Sequence, residues 1–132
     1  MWSRATCSLF AATLFLAAGI HAEEPTVLAS IADILSKFEH KCTRAQCETL
    51  REIVETDTVT FPERTLAEAL LSVDHTPDAK DITLLETLAS DPAQPSDVRT
   101  IATMLRRFVH TPSQTDRAVL DVLVSGRPDD NR

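Results

Sequence analysis

A repeat with a period of 35 residues constrains the fold of this chain more than any other feature of its sequence. The segments 75–90, HTPDAKDITLLETLAS, and 110–125, HTPSQTDRAVLDVLVS, align without a gap at an offset of 110 − 75 = 35. One period further upstream lies a third histidine, so His40, His75 and His110 occupy equivalent positions. A period of this length is typical of helical arrays in which each unit contributes a pair of helices.

Apolar residues within each unit recur at spacings of three and four, which indicates helices rather than strands. Because one hairpin cannot bury its own apolar face, such units must pack on each other. We therefore predict an all-α fold of three antiparallel helical hairpins stacked as a short right-handed α-solenoid. The predicted hairpins cover residues 24–60, 61–95 and 96–127 within a helical-repeat domain of residues 23–126, and residues 127–132 form a flexible tail.

The corners inside the last two units carry helix-start signals. Thr76-Pro77 and Thr111-Pro112 are expected to place threonine at the N-cap and proline at the first helical position. In the first unit, the equivalent corner holds a cysteine instead of proline.

One segment resembles a known repeat family. The segment 97–102, DVRTIA, follows an apolar helix that ends at 90–91 and resembles a short HEAT-like repeat, in which a Val-Arg pair opens the second helix of each unit. In the preceding copy Arg64 and Ala67 match this pattern, whereas Glu63 replaces the valine. The resemblance implies stacked helical units and an arginine that pairs with an acid of a neighbouring unit.

The first 22 residues are typical of a secretory signal peptide. Arg4 precedes an apolar run at 9–20, and Ala22 precedes an acidic start, Glu23-Glu24. The apolar run is short for a membrane span, although an uncleaved anchor is the alternative. We therefore expect a periplasmic or secreted protein, cleaved after Ala22 and without stable membrane insertion thereafter.

The chain is acidic, with a formal net charge of −7 that becomes −7 − 1 = −8 when Arg4 leaves with the leader. Nucleic acids and anionic membrane surfaces attract concentrated positive charge, so neither is an expected partner. The acids of the middle unit suggest a basic protein partner, and a solvated face is the alternative. These candidate partner-binding residues are Glu63, Glu68, Asp74, Asp78, Asp81 and Glu86.

Two cysteines, Cys42 and Cys47, follow the leader, and an even number in an exported protein favours a disulfide. If Thr43 caps a helix and Gln46 completes a capping box, the two cysteines occupy the positions of a hydrophobic staple, whose side chains meet. A redox pair and a metal site formed by His40, Cys42 and Cys47 are the alternatives.

The aligned histidines, His40, His75 and His110, are interpreted as end caps of the first helix in each hairpin, where imidazole complements the helix dipole. Equivalent positions in stacked hairpins lie about 10 Å apart, whereas zinc requires nitrogen atoms at ~2.0 to 2.1 Å, so a shared ion is not expected. A pH-sensitive histidine ladder is the alternative.

No glycine-rich phosphate loop or nucleophile elbow is present in the sequence, so an enzyme is not expected. The predicted function is that of an exported protein-binding or scaffold module without a cofactor. Two alternatives are open: a periplasmic metal-handling protein that uses His40, Cys42 and Cys47, and a structural subunit of an envelope assembly that can self-associate.

Overall fold

Six helices provide the regular structure of residues 25–126, the part of the chain that the structure, a computed structural model, describes. The predicted leader at 1–22 and the predicted tail at 127–132 lie outside the described residues. Within residues 25–126 there is no β-strand, which confirms the prediction of an all-α fold. The helices are α1 (Val27–Ser36), α2 (Arg44–Glu55), α3 (Phe61–Ser72), α4 (Ala79–Ser90), α5 (Ser96–Arg106) and α6 (Gln114–Ser125).

Capping side chains determine where several helices begin. Thr43 and Gln46 form the predicted capping box of α2: the backbone N–H of Gln46 donates to the Thr43 hydroxyl, and the N–H of Thr43 donates to the Gln46 side chain. Thr60 and Glu63 form a second capping box at α3. Each box satisfies backbone donors that the helix itself leaves free.

The predicted caps of α4 and α6 are wrong by two residues. The N-cap of α4 is Asp78 rather than Thr76, and the N-cap of α6 is Ser113, whose hydroxyl accepts from the backbone N–H of Asp116 at 3.1 Å. Thr76 and Thr111 instead lie in the turns around the histidines, so neither is available at a helix start. The true caps, Thr43, Asp78 and Ser113, are again 35 residues apart.

The hydrophobic core repeats with the sequence. Equivalent positions of α1, α3 and α5 place their side chains fully inside the protein, and one position in each of α2, α4 and α6 does the same. Burial of such side chains is the main favourable contribution to folding. The fully buried sets are Ile31, Leu66 and Ile101; Leu35, Leu70 and Leu105; and Leu50, Leu85 and Leu120.

The helices pack in a closed ring rather than in the predicted open stack. Helices α1, α3 and α5 contact each other at the centre, and α1, near the start of the described chain, packs extensively against α6 at its end. The most extensive helix pairs are α2 with α3, α4 with α5, and α6 with α1, so the tightest pairing crosses the predicted hairpin boundaries. The period was predicted correctly, but the pairing of helices and the rotation between units were not, because both depend on packing between distant residues.

Two further expectations concern the membrane and the arginine of the HEAT-like pattern. Among residues 25–126, no helix has the length and apolar character that crossing a membrane requires. Arg64 donates to the carbonyl oxygen of Thr56, 3.1 Å away, rather than to an acid of a neighbouring unit.

Candidate metal centre

The three equivalent histidines share an unusual backbone conformation. His40, His75 and His110 have φ values of 58°, 69° and 63°, and they are the only non-glycine residues with positive φ among those described. This left-handed region is natural for glycine, but for other residues it costs on the order of 1 to 2 kcal/mol each. The chain therefore retains an imidazole at three positions where the backbone favours glycine.

Each histidine is the central residue of a tight three-residue turn. The backbone N–H of Lys41 donates to the carbonyl oxygen of Glu39 at 2.5 Å, and the N–H of Thr111 donates to Val109 at 2.7 Å. An equivalent bridge joins the neighbours of His75. Turns with this hydrogen-bond pattern and positive φ at the centre are rare and strained. They bend the chain sharply between an inner helix and the next outer helix.

A closed ring of backbone hydrogen bonds links the three turns. The N–H of His75 donates to the carbonyl oxygen of His40 at 2.7 Å, and the N–H of His110 donates to that of His75 at 2.9 Å. The N–H of His40 completes the ring by donating to His110 at 2.7 Å. The three units thus meet around one approximate threefold axis, with a histidine from each unit on it.

The imidazole rings converge on this axis. The Nδ1 atoms of His40 and His75 lie 3.2 Å apart, and each lies 3.1 Å from the Nδ1 atom of His110. The ring planes are inclined to each other by 64° to 73°, with centroids 5.0 to 5.1 Å apart. The arrangement is that of a three-bladed propeller with one nitrogen of each blade at its centre.

Three Nδ1 atoms at these distances cannot all be satisfied by one another. Each Nδ1 carries either a proton or a lone pair. With three atoms and two states, at least two atoms must be alike, so two N–H groups or two lone pairs face each other. A cation at the centre removes this conflict, because all three nitrogens can then direct lone pairs towards it.

The spacing of the nitrogens fits one transition-metal ion. Zinc binds imidazole nitrogen at ~2.0 to 2.1 Å, and tetrahedral angles then place the ligand nitrogens about 3.3 to 3.4 Å apart. The observed separations of 3.1 to 3.2 Å differ from this by a few tenths of an ångström. Shifts of this size in the positions of the nitrogens bring the separations to the values for a bound ion.

The surroundings of the triad suit a cation. All three histidines are exposed, which gives an ion access from solvent. The Asp74 carboxylate lies 3.7 Å from Nε2 of His75, on the side of the ring away from the triad, and Glu39 is exposed at the equivalent position of the first unit. A carboxylate beside the second ring nitrogen helps to orient a metal-binding imidazole. Lys41 follows His40 directly in the sequence and is also exposed, so its positive charge opposes the binding of a cation.

No family model, curated protein or solved structure matches this chain. The geometry of the three histidines is therefore what identifies them as a candidate site.

The predicted separation of the histidines, about 10 Å, is wrong for this protein because it assumed an open stack. The histidines also lie farther from the helix ends than end caps would. Helix α1 ends at Ser36, four residues before His40, and its C-cap is Lys37. The ring contacts that the structure shows for the histidines are with one another. The signal for the triad in the sequence was the equal spacing of the three histidines. These residues come close together only because the helices close into a ring.

Cys42 and Cys47 form the predicted disulfide, with their Cα atoms 5.4 Å apart. They flank the Thr43 capping box at the staple positions, as expected. Because both thiols are used in this bond, they are not free as thiolate ligands. The alternative site formed by His40, Cys42 and Cys47 is therefore not the arrangement in this structure, where His40 contacts the other two histidines.

The six candidate partner-binding acids do not act as one group. Glu63 belongs to the α3 capping box, Asp81 accepts a hydrogen bond from Ser72, and Glu86 pairs with Arg106 at 3.4 Å. Asp78 is the N-cap residue of α4, Glu68 is exposed, and Asp74 lies beside the histidine triad. Binding of a basic partner by these acids stays a prediction.

Proposed function

We propose that this protein is an exported metal-binding protein, in which the Nδ1 atoms of His40, His75 and His110 bind one first-row transition-metal ion. The observation that carries the proposal is the mutual separation of 3.1 to 3.2 Å among these three nitrogens. Three imidazole nitrogens at this distance leave an unsatisfied pair unless a cation lies between them.

The donor set selects the class of metal. Imidazole suits zinc, copper and nickel, whereas calcium and magnesium require oxygen ligands. The strained turns also support a functional site at the histidines, since strain retained at three equivalent positions is characteristic of such sites. Glycine would relieve that strain, but it would remove the ligand.

Export is supported by the leader-like sequence of residues 1–22 and by the disulfide between Cys42 and Cys47. Disulfides persist mainly in oxidising compartments. Together these features support a proposed location in the periplasm or outside the cell.

Calorimetric titration tests this function. The protein is exported through its own leader, stripped with a chelator, and titrated separately with Zn²⁺, Ni²⁺ and Cu²⁺. We expect one ion per chain for the wild type. Loss of a second-sphere partner alone costs about 10- to 100-fold in metal affinity, so His40→Ala, His75→Ala and His110→Ala should each cost more.

Glu52→Gln is the matched control, because Glu52 is exposed on α2 and lies outside the triad. It should bind the ions as the wild type does. Binding that is equally strong in the three histidine variants would refute the proposed site and would assign the ions to surface carboxylates.

A further inference from the structure

The triad supplies fewer ligands than a transition metal normally takes. Among residues 25–126, the cluster of potential ligands around the axis contains the three histidines and no fourth group. Structural zinc sites are closed by four protein ligands, whereas three protein ligands leave a position for a molecule from outside. An ion at this site therefore keeps at least one coordination position that the described chain does not fill.

The open position faces solvent. Two residues before the histidines lie Phe38, Val73 and Phe108, all of them buried. The rings of Phe38 and Phe108 contact each other edge to face within the core, with centroids 5.5 Å apart. The side chain of His75, by contrast, is 54% exposed. The residues two positions before the histidines thus belong to the core, whereas the histidines themselves are accessible from solvent.

The residues next to the histidines in the sequence form the rim of the triad: Glu39, Lys41, Asp74 and Val109. Their side chains determine which donor suits the open position. Glu39 and Asp74 contribute two exposed carboxylates against the single ammonium of Lys41, so the side chains around the ion are negative overall and attract basic residues of a partner. At the third equivalent position the rim carries Val109, an apolar side chain that is 57% exposed. A neutral nitrogen donor on a peptide with nearby positive charge matches both the acids and the apolar contact.

We propose that the metal-loaded triad binds the histidine side chain of a partner polypeptide as its outer ligand. This inference depends on the metal binding proposed above. The imidazole nitrogen donates its lone pair to the ion and displaces a water molecule, while basic residues beside that histidine lie near Glu39 and Asp74. The site then acts as a metal-dependent docking point, and the rim contacts distinguish a polypeptide from a free small molecule.

The test uses full-length exported protein loaded with one equivalent of Co²⁺, whose visible spectrum reports its ligands. Loading is first verified by calorimetry, so failure of metal binding is seen separately and refutes the proposed function itself. The loaded protein is then titrated with four probes: a short Lys-His-Lys-containing peptide, the same peptide with alanine for histidine, free imidazole, and inorganic phosphate.

We expect the histidine peptide to change the Co²⁺ spectrum and to bind at least tenfold more tightly than free imidazole, with no spectral change from the alanine peptide or phosphate. Asp74→Asn and Glu39→Gln should reduce the advantage of the peptide over imidazole. If the histidine peptide does not change the spectrum of the Co²⁺-loaded protein, the inference is overturned. Equal affinity for imidazole and peptide, or tighter binding of phosphate, overturns it as well.

Discussion

The backbone N–H of His40 donates to the carbonyl oxygen of His110 at 2.7 Å, although the two residues are 70 positions apart. This bond completes the ring of three that begins at His75. It also brings the first and last units together, in agreement with the packing of α1 against α6. The histidine triad is therefore the point at which the whole repeat array closes.

Metal binding should stabilise the fold, because its ligands come from all three units. With free Zn²⁺ at about 100 times Kd, mass action adds about 2.7 kcal/mol to the free energy of unfolding. For a domain of this size that corresponds to a rise in Tm of roughly 10 °C or more. Differential scanning calorimetry with and without Zn²⁺ measures the shift. His75→Ala should show no shift, and an equal shift in that variant would contradict the assignment of the ligands.

A comparison of His75→Gly with His75→Ala measures the backbone strain at this turn separately from the loss of the imidazole. Both variants remove the imidazole, but only glycine adopts a φ of 69° without a penalty from Cβ. In the absence of metal, relief of about 1 to 2 kcal/mol of strain is partly offset by about 0.4 to 1 kcal/mol of extra backbone entropy that glycine loses on folding, so we expect the glycine variant to be more stable than the alanine variant by up to about 1.5 kcal/mol. Urea unfolding of the two proteins gives the difference. A glycine variant that is less stable than the alanine variant would show that the turn carries no strain.

Replacement of both Cys42 and Cys47 by alanine should lower the free energy of unfolding by about 2 kcal/mol, the chain-entropy value for so short a loop. Metal affinity should not change, because the disulfide contributes no ligand to the triad. Chemical denaturation and metal titration of the same double variant test both statements. A large loss of metal affinity with the fold intact would restore the cysteines as ligands.

Asp116→Asn should destabilise the last unit. The Asp116 carboxylate is nearly buried and accepts from the Arg107 guanidinium at 2.5 Å. Loss of a charged hydrogen bond at such a site costs about 1.5 to 3 kcal/mol. Glu48→Gln is the control, because Glu48 pairs with Arg44 on an exposed surface where such a pair contributes at most about 1 kcal/mol. Comparable unfolding midpoints for the two variants would contradict this ranking.

Much of the local structure followed from the sequence. The α2 capping box of Thr43 and Gln46, the staple position of Cys42 and Cys47, and the repeated buried leucines were all predictable, since each depends on residues within one or two helical turns. The caps at Asp78 and Ser113 were missed because Thr76 and Thr111 offered an equally good local signal, and the turn around each histidine decided between them.

The sequence by itself determined the helices, the period of 35 residues and the register of His40, His75 and His110. Only the tertiary structure decided that these histidines meet. A small rotation between units keeps equivalent residues apart in an open stack, whereas a rotation of about a third of a turn brings them to one axis. That rotation results from side-chain packing between helices far apart in the chain, such as α1 and α6, and a period in the sequence does not specify it.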